Sequence, residues 1–310
     1  MNWVSLCVYF QWDKKGWRRK LVTDSSCSFH VLLVSLLHRY QLFSMKHMIG
    51  LLILILLWSC PFLRYGMQGF NKAHHFTMEQ SSGGYNFDVG NNSKQQPHVS
   101  LHLGLTDYRT FVGTNLSPMW ERFLVPSEDE RIQCQHTSSP LGNGAVVETS
   151  DKRILVLQRS NKVGEFPGYF VFPGGHPEPQ EVGIISHEGF EELNQCHTIN
   201  SKVSQEMFDS IVREVVEEIG APADSLSSPI FIGVSRRILN VRPTAFFFIK
   251  CNLQSDEIQQ LYSSAQDGFE STKLYTVSMN DLENMASKMP GCHRGGLALY
   301  KLMVQGTSDG

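Results

Sequence analysis

The sequence predicts an α/β domain in which helices cover both faces of a mixed sheet, an α/β/α sandwich. Two observations carry the prediction. Apolar runs of strand length alternate with helical patterns from about residue 138 to near the C-terminus, and that alternation builds layered α/β domains. One run, Ala245 to Cys251, is apolar at almost every position, as expected of a central strand covered on both faces. The chain has 310 residues and is 41% hydrophobic, enough for one or two domains with a full core. A net charge of −3 provides no basic field for nucleic acid. Seven cysteines lack any Cys-x-x-Cys pair and read as reduced thiols, which favours the cytoplasm. Twelve histidines show no metal-ligand spacing, and Cys292-His293 reads as a helix start.

Three regions follow from composition. Residues 1–64 form an atypical basic and hydrophobic extension with four of the five tryptophans. Its run Ile49 to Trp58 is apolar apart from Gly50. Ten residues fall short of the ~20 that span a bilayer. The run fits a membrane-directing or secretory segment if Met45 is the start, a core strand, or sequence foreign to the domain. Residues 65–137 begin as a Gly-, Ser- and Asn-rich linker and become a substrate-side segment. There Val99, Leu101, Leu103 and Leu105 alternate as a strand, and Tyr108 to Trp120 reads as a helix or turn bending at Gly113-Thr114-Asn115. Asn91-Asn92-Ser93 and Asn115-Leu116-Ser117 are glycosylation sequons.

The third region, 138–306, is the layered domain. Strands are expected at Gly142–Glu148, Arg153–Gln158, Tyr169–Phe172, Ile230–Ser235, Ala245–Cys251 and Leu274–Ser278. Helices are expected from about Ser204 to Ile219, from Ser255, and near 279–288 and 295–304. Residues 182–203 have weak periodicity and read as a loop with a helical piece.

The stretch with chemistry in it joins Phe172-Pro173-Gly174-Gly175-His176-Pro177-Glu178-Pro179-Gln180-Glu181 to Arg213-Glu214-Val215-Val216-Glu217-Glu218-Ile219-Gly220-Ala221. Paired glycines let backbone approach a ligand. Downstream, the apolar residues 211, 212, 215, 216 and 219 share one helix face, and Glu214, Glu217 and Glu218 share another. Like charges at this spacing repel, and a hard divalent cation reverses the sign. The bland alternative is a solvated acidic face.

Gly175, any five residues and then Glu181, followed by Arg213 to Ala221, resembles the two halves of the Nudix box. The 31 residues between them, 182 to 212, far exceed that family's short spacer. This interrupted box resembles the uridine diphosphate glucose pyrophosphatase branch. The flanking segments Leu103 to Arg109, Phe111 to Asn115, Pro140 to Ala145 and Glu270-Ser271-Thr272 are similar as well. The likeness runs over residues 99–306 and supports the sandwich fold more strongly than periodicity does.

The resemblance implies hydrolysis of a diphosphate joining a nucleoside to a sugar, UDP-glucose or UDP-galactose giving UMP and sugar 1-phosphate. It implies Mg²⁺, with Mn²⁺ as the second candidate, held by Glu214 and Glu218, with Glu217 completing the set. Arg213 is expected to orient a carboxylate by a forked hydrogen bond. The general base stays open among Glu217, Glu214 and Glu181. Substrate contacts are expected from Tyr108, Arg159, Ser271 and the backbone of Gly174 and Gly175, where a carbonyl is also expected to reach the metal. Two alternatives stand: hydrolysis of another diphosphate, such as ADP-ribose, a dinucleotide or coenzyme A, and a binding module without turnover.

Overall fold

A computed structural model describes residues 6–13, 16–19, 74–78, 98–126, 136–184, 197–262 and 271–308. Among the described residues, ten strands form one mixed sheet: β1 Leu6–Asp13, β2 Gly16–Arg19, β3 His74–Met78, β4 His98–Asp107, β5 Gly142–Glu148, β6 Ile154–Arg159, β7 Phe170–Val171, β8 Ile230–Arg236, β9 Pro243–Lys250 and β10 Ser271–Val277. Their order is β10-β6-β5-β9-β8-β2-β1-β4-β3, with β7 paired to β6. The helices are α1 Tyr108–Gly113, α2 His197–Ile219, α3 Ser255–Tyr262, α4 Met279–Met285 and α5 Gly291–Ser308.

The two sheet faces are legible in the alternation of side chains. Ala145, Val147, Leu155, Leu157, Ala245, Phe247 and Ile249 join the apolar stripe of α2 in one core. Val146, Ile154, Val156, Phe246 and Phe248 point the other way, against Leu282 of α4 and Leu297 and Tyr300 of α5. Both faces are covered, so these strands are near-continuous apolar runs. β9 is central: it pairs in parallel with β5 and antiparallel with β8.

The helix α2 begins two turns before the expected Ser204. Ile199, Val203, Met207, Ile211, Val215 and Ile219 are all buried and stand four residues apart, so one stripe faces the sheet throughout. The weak periodicity of 182–203 hid its first turns. Gly220 ends it at φ 78°, the left-handed conformation common at helix C-termini.

Two stretches of the N-terminal extension lie in the sheet. β1 pairs antiparallel with β2 and β4, and β2 meets β8 at Trp17 and Phe231. The apolar run at 49–58 and the sequon at Asn91 lie outside the described residues. Among the described residues, no helix is long and apolar enough to cross a membrane. The second sequon is closed: Asn115 is 1% exposed. Its amide donates to the Asn240 carbonyl at 2.7 Å and accepts from the Ser138 and Ser139 N–H groups.

Candidate active site

The site begins where β7 runs into the double-glycine loop and the loop lies across β5 and α2. Ala145 N–H donates to the Pro173 carbonyl at 2.8 Å, and Asn143 N–H donates to the Gly175 carbonyl at 2.9 Å. The Gly175 carbonyl, one of the two expected to lend an oxygen to a ligand, is thus already engaged. The Asn143 side chain, 4% exposed, accepts from Gly175 N–H at 2.7 Å and donates to Ser210 of α2 at 2.9 Å. Gly174 sits at φ 154°. A Cβ there would strike the Asn143 carbonyl and stand 2.7 Å from Gly144 Cα, so no side chain fits.

Two of the predicted acids meet this loop. Glu218, 8% exposed, accepts from Gly174 N–H at 2.7 Å. Glu214, one helical turn earlier, accepts from His176 N–H at 3.3 Å. A Cβ on Gly175 would overlap the Glu214 carboxylate. Tyr262 flanks Glu218: burial first, then the Glu218 charge, raises its phenol pKa. Glu217, between the two, is exposed. Glu181 is also exposed, in the short 3-10 turn Pro179–Val182.

Arg213 makes the expected fork, and its partner is one the sequence did not single out. Its Nη2 and Nη1 donate to the Glu206 Oε1 and Oε2 at 2.6 and 3.2 Å. Glu206 is 4% exposed and also accepts from Glu178 N–H at 2.9 Å. The side-chain hydrogen bond to Glu206 is the main cause raising the Arg213 pKa. Glu178 lies close by, its carboxyl raised by burial against the pull of Arg213.

On the other side of His176 lies a second, partly buried cluster. Its centre is Glu165. Arg237 and Arg242 both pair with that carboxylate, Arg242 at 3.0 Å. Burial pushes the Glu165 carboxyl up, but the charges of Arg237 and Arg242 outweigh it and hold it below the ordinary carboxylate range. Arg237, 4% exposed, also donates from Nε to the Asn240 side chain at 2.6 Å. Arg242 reaches the His176 ring and stacks over Phe111 at 5.2 Å.

The predicted substrate residues divide here. Arg159 donates from Nε to the Glu165 carbonyl at 2.9 Å. Burial first, then the Glu165 charge, raises the Tyr108 phenol, with Arg242 opposing. Both therefore border this cluster. Ser271 opens β10, opposite Arg159 in the register with β6. Cys292-His293 is more than a helix start: His293 Nδ1 accepts from Phe172 N–H at 3.1 Å. Burial, then Arg159, Arg237 and Arg242, holds its imidazole down at about 3.

Compared with known proteins, the chain is 66% identical over 224 residues to Nudix hydrolase 9 of Arabidopsis thaliana, 72% of each chain. The chain belongs to the Nudix hydrolases. Two relatives called uridine diphosphate glucose pyrophosphatase NUDT22 share less with this Nudix hydrolase. The Mus musculus protein is 34% identical over 67% of this chain and 68% of its own. The Homo sapiens protein is 32% identical over 69% and 71%. The solved MutT protein of Methanosarcina mazei Go1 superposes with a TM-score of 0.34 at 16% identity, over 53% of this chain and 92% of its own. No family model matches the chain.

Among the described residues, no three His, Cys, Asp or Glu side chains already form a metal cage. Magnesium seldom needs one: one or two carboxylates, water and substrate phosphate suffice. This Nudix hydrolase presents Glu214 and Glu218 to the loop, with the Cβ space of Gly175 taken by the Glu214 carboxylate. That donor set fits a hard divalent cation.

Sequence reasoning missed Asn143, Glu165, His176, Glu206, Arg237, Asn240 and Arg242. Asn143 lies in a segment noticed for another reason. Arg236-Arg237 and Arg242 bracket one turn, a visible concentration of charge. Its partner Glu165 is more than seventy residues upstream, and no local pattern connects them.

Proposed function

We infer that the protein hydrolyses the diphosphate bond of a UDP-hexose, with water, to UMP and sugar 1-phosphate. One observation carries the reading: a carboxylate pair and an arginine cluster meet at the same three residues, Gly174 to His176. A diphosphate needs charge neutralisation and positioning more than covalent chemistry. The names of the NUDT22 relatives support the nucleotide-sugar substrate.

Glu214 and Glu218 hold Mg²⁺ in this reading. When bound, the ion polarises phosphate oxygens and lowers the pKa of a coordinated water. Glu218 keeps the Gly174 N–H turned toward the acids, and Glu214 does so for His176. The Arg213–Glu206 fork ties the 3-10 turn to α2 through Glu178. Glu217, the exposed member of the trio, takes the proton of the attacking water. Arg159 and Tyr108 bound the substrate side, with Ser271 at the neighbouring strand end.

The test is a product assay on the purified full chain with Mg²⁺. UDP-glucose, UDP-galactose, ADP-ribose, a dinucleotide and coenzyme A are supplied separately, and products are separated by chromatography. UMP from a UDP-hexose is expected. Its absence from every UDP-hexose overturns the substrate assignment, and turnover of another member redirects it within the family. Glu218→Gln is expected to lower kcat by roughly a hundredfold or more, since losing a metal-held charge costs several kcal/mol in the transition state. Near-normal turnover would remove Glu218 from the site.

A further inference from the structure

We propose that Arg242, backed by Arg237 and set by Glu165, is a phosphate-binding site that takes one half of the diphosphate while the carboxylates of α2 serve the other half. The inference rests on the diphosphate reading above and adds the residues that grip the anion. Three observations lead to it.

The first is position. His176 spans the two clusters: its backbone N–H bonds to Glu214 and its ring touches Arg242. A Cβ on Gly142 would lie 3.5 Å from the Gly175 carbonyl and 3.7 Å from Arg242 Nη2. The guanidinium therefore stands against the glycine loop itself, one residue from the acids.

The second is charge. Arg237 and Arg242 share the Glu165 carboxylate, and Arg159 bonds to the backbone carbonyl of the same residue. His293, beside these three cations, is neutral: its Nδ1 accepts a backbone hydrogen bond. Buried cations in excess of their partners are costly, and an arriving oxyanion removes that cost. The Nε of Arg242 is buried without a hydrogen-bond partner, so the fork is not fully spent on structure. Guanidinium geometry suits phosphate, two parallel N–H groups meeting two oxygens.

The third is local backbone. Phe166, Asn240 and Val241 have φ of 50°, 53° and 48°, and all three lie beside the cluster: Arg237 stacks over Phe166 at 5.1 Å. Positive φ is unusual for any non-glycine residue and a clear outlier for a β-branched one. Such strain collects where a structure holds a ligand-binding arrangement.

The experiment uses the full chain in EDTA, with inorganic pyrophosphate as the probe and calorimetry as the readout, so neither metal nor turnover enters. Wild type is expected to bind pyrophosphate. Arg242→Gln is expected to weaken binding by roughly tenfold or more, and Arg242→Lys to restore only part. Glu165→Gln is expected to act in the opposite direction and tighten it, because it unmasks positive charge. A purely structural cluster would weaken binding in both variants or in neither, and either result overturns the proposal. If a variant does not fold, a crystal structure of wild type with pyrophosphate in EDTA decides. Phosphate oxygens within hydrogen-bond distance of Arg242 support the site, and pyrophosphate elsewhere or absent overturns it. Pyrophosphate binding through Arg242 without UDP-hexose hydrolysis would leave the site standing and sink the substrate assignment. UMP formation with Arg242 indifferent to pyrophosphate would do the reverse.

Discussion

Gly175 shows how little freedom the double-glycine loop has. Its missing side chain is the space the Glu214 carboxylate uses. Gly175→Ala is therefore expected to displace that carboxylate, cutting turnover far more than stability, as paired activity and melting measurements would show. Normal kcat in the variant would mean that Glu214 can act from elsewhere. His293 illustrates a different case, a titratable group whose Nδ1 is held by the Phe172 N–H. It is held neutral with a pKa of about 3, against about 6.5 when unfolded. Its folded-state value is depressed, so its contribution is complete above pH ~6.5 and is lost as pH falls toward 3, by up to about 1.4 kcal/mol per pH unit. Replacing His293 with Asn should flatten the acid side of the stability curve, measured by denaturant titration between pH 4 and 7. An unchanged slope would mean another group dominates there.

Among the elements, α2 matters most because it does two jobs on different faces. Its four-spaced apolar stripe is core. Its other side presents Glu206, Arg213, Glu214 and Glu218 to the glycine segment. Glu206 stands in the first turn of the helix expected from Ser204 and meets the first half of the box at Glu178 N–H. Glu206→Ala removes the acceptor of both the Arg213 fork and Glu178 N–H. Arg213 is 40% exposed and can rehydrate, so the expected loss is about 1–3 kcal/mol, not the larger cost of stranding a fully buried charge. Activity should fall with it, because the 3-10 turn loses its tie to the helix. Urea unfolding and the UMP assay measure the two effects, and a silent mutation would show that the turn is held by other contacts.

For the whole molecule, the decisive feature is a sheet that continues past β8 through β2 and β1 to β4 and β3. Removing residues 1–19 would strip the strands between β8 and β4 and leave both with open edges, which favour aggregation. The shortened chain is expected to melt at lower temperature and scatter more light on heating. Equal melting behaviour would show that residues 1–19 are dispensable to the domain. The same sheet explains the closed Asn115 sequon. Asn115 follows the strand and helix that bring it to the Asn240 turn, where its amide is fully used. Mass spectrometry of the folded protein is therefore expected to find no glycan on Asn115.

What could be read from sequence was what local chemistry encodes. Strand positions, the central run of β9, the double glycine and the acidic turn of α2 all depend on residues within a few positions of each other. The apolar runs found their faces because a sheet covered on both sides buries nearly every residue of its central strands β5 and β9. Arg213 was recognised as a fork, yet its partner was not, since Glu206 looked like one more acid in the first turn of the expected helix. Tertiary structure alone decided that Glu165, Arg237, Arg242 and His176 meet, and that Asn143 braces the glycine loop. Those contacts join β5, the 160s turn and the β8–β9 turn. Hydrogen bonds and charge pairs across such separations follow from how strands are ordered in the sheet, and strand order is set by the global packing of apolar faces rather than by any neighbouring residue.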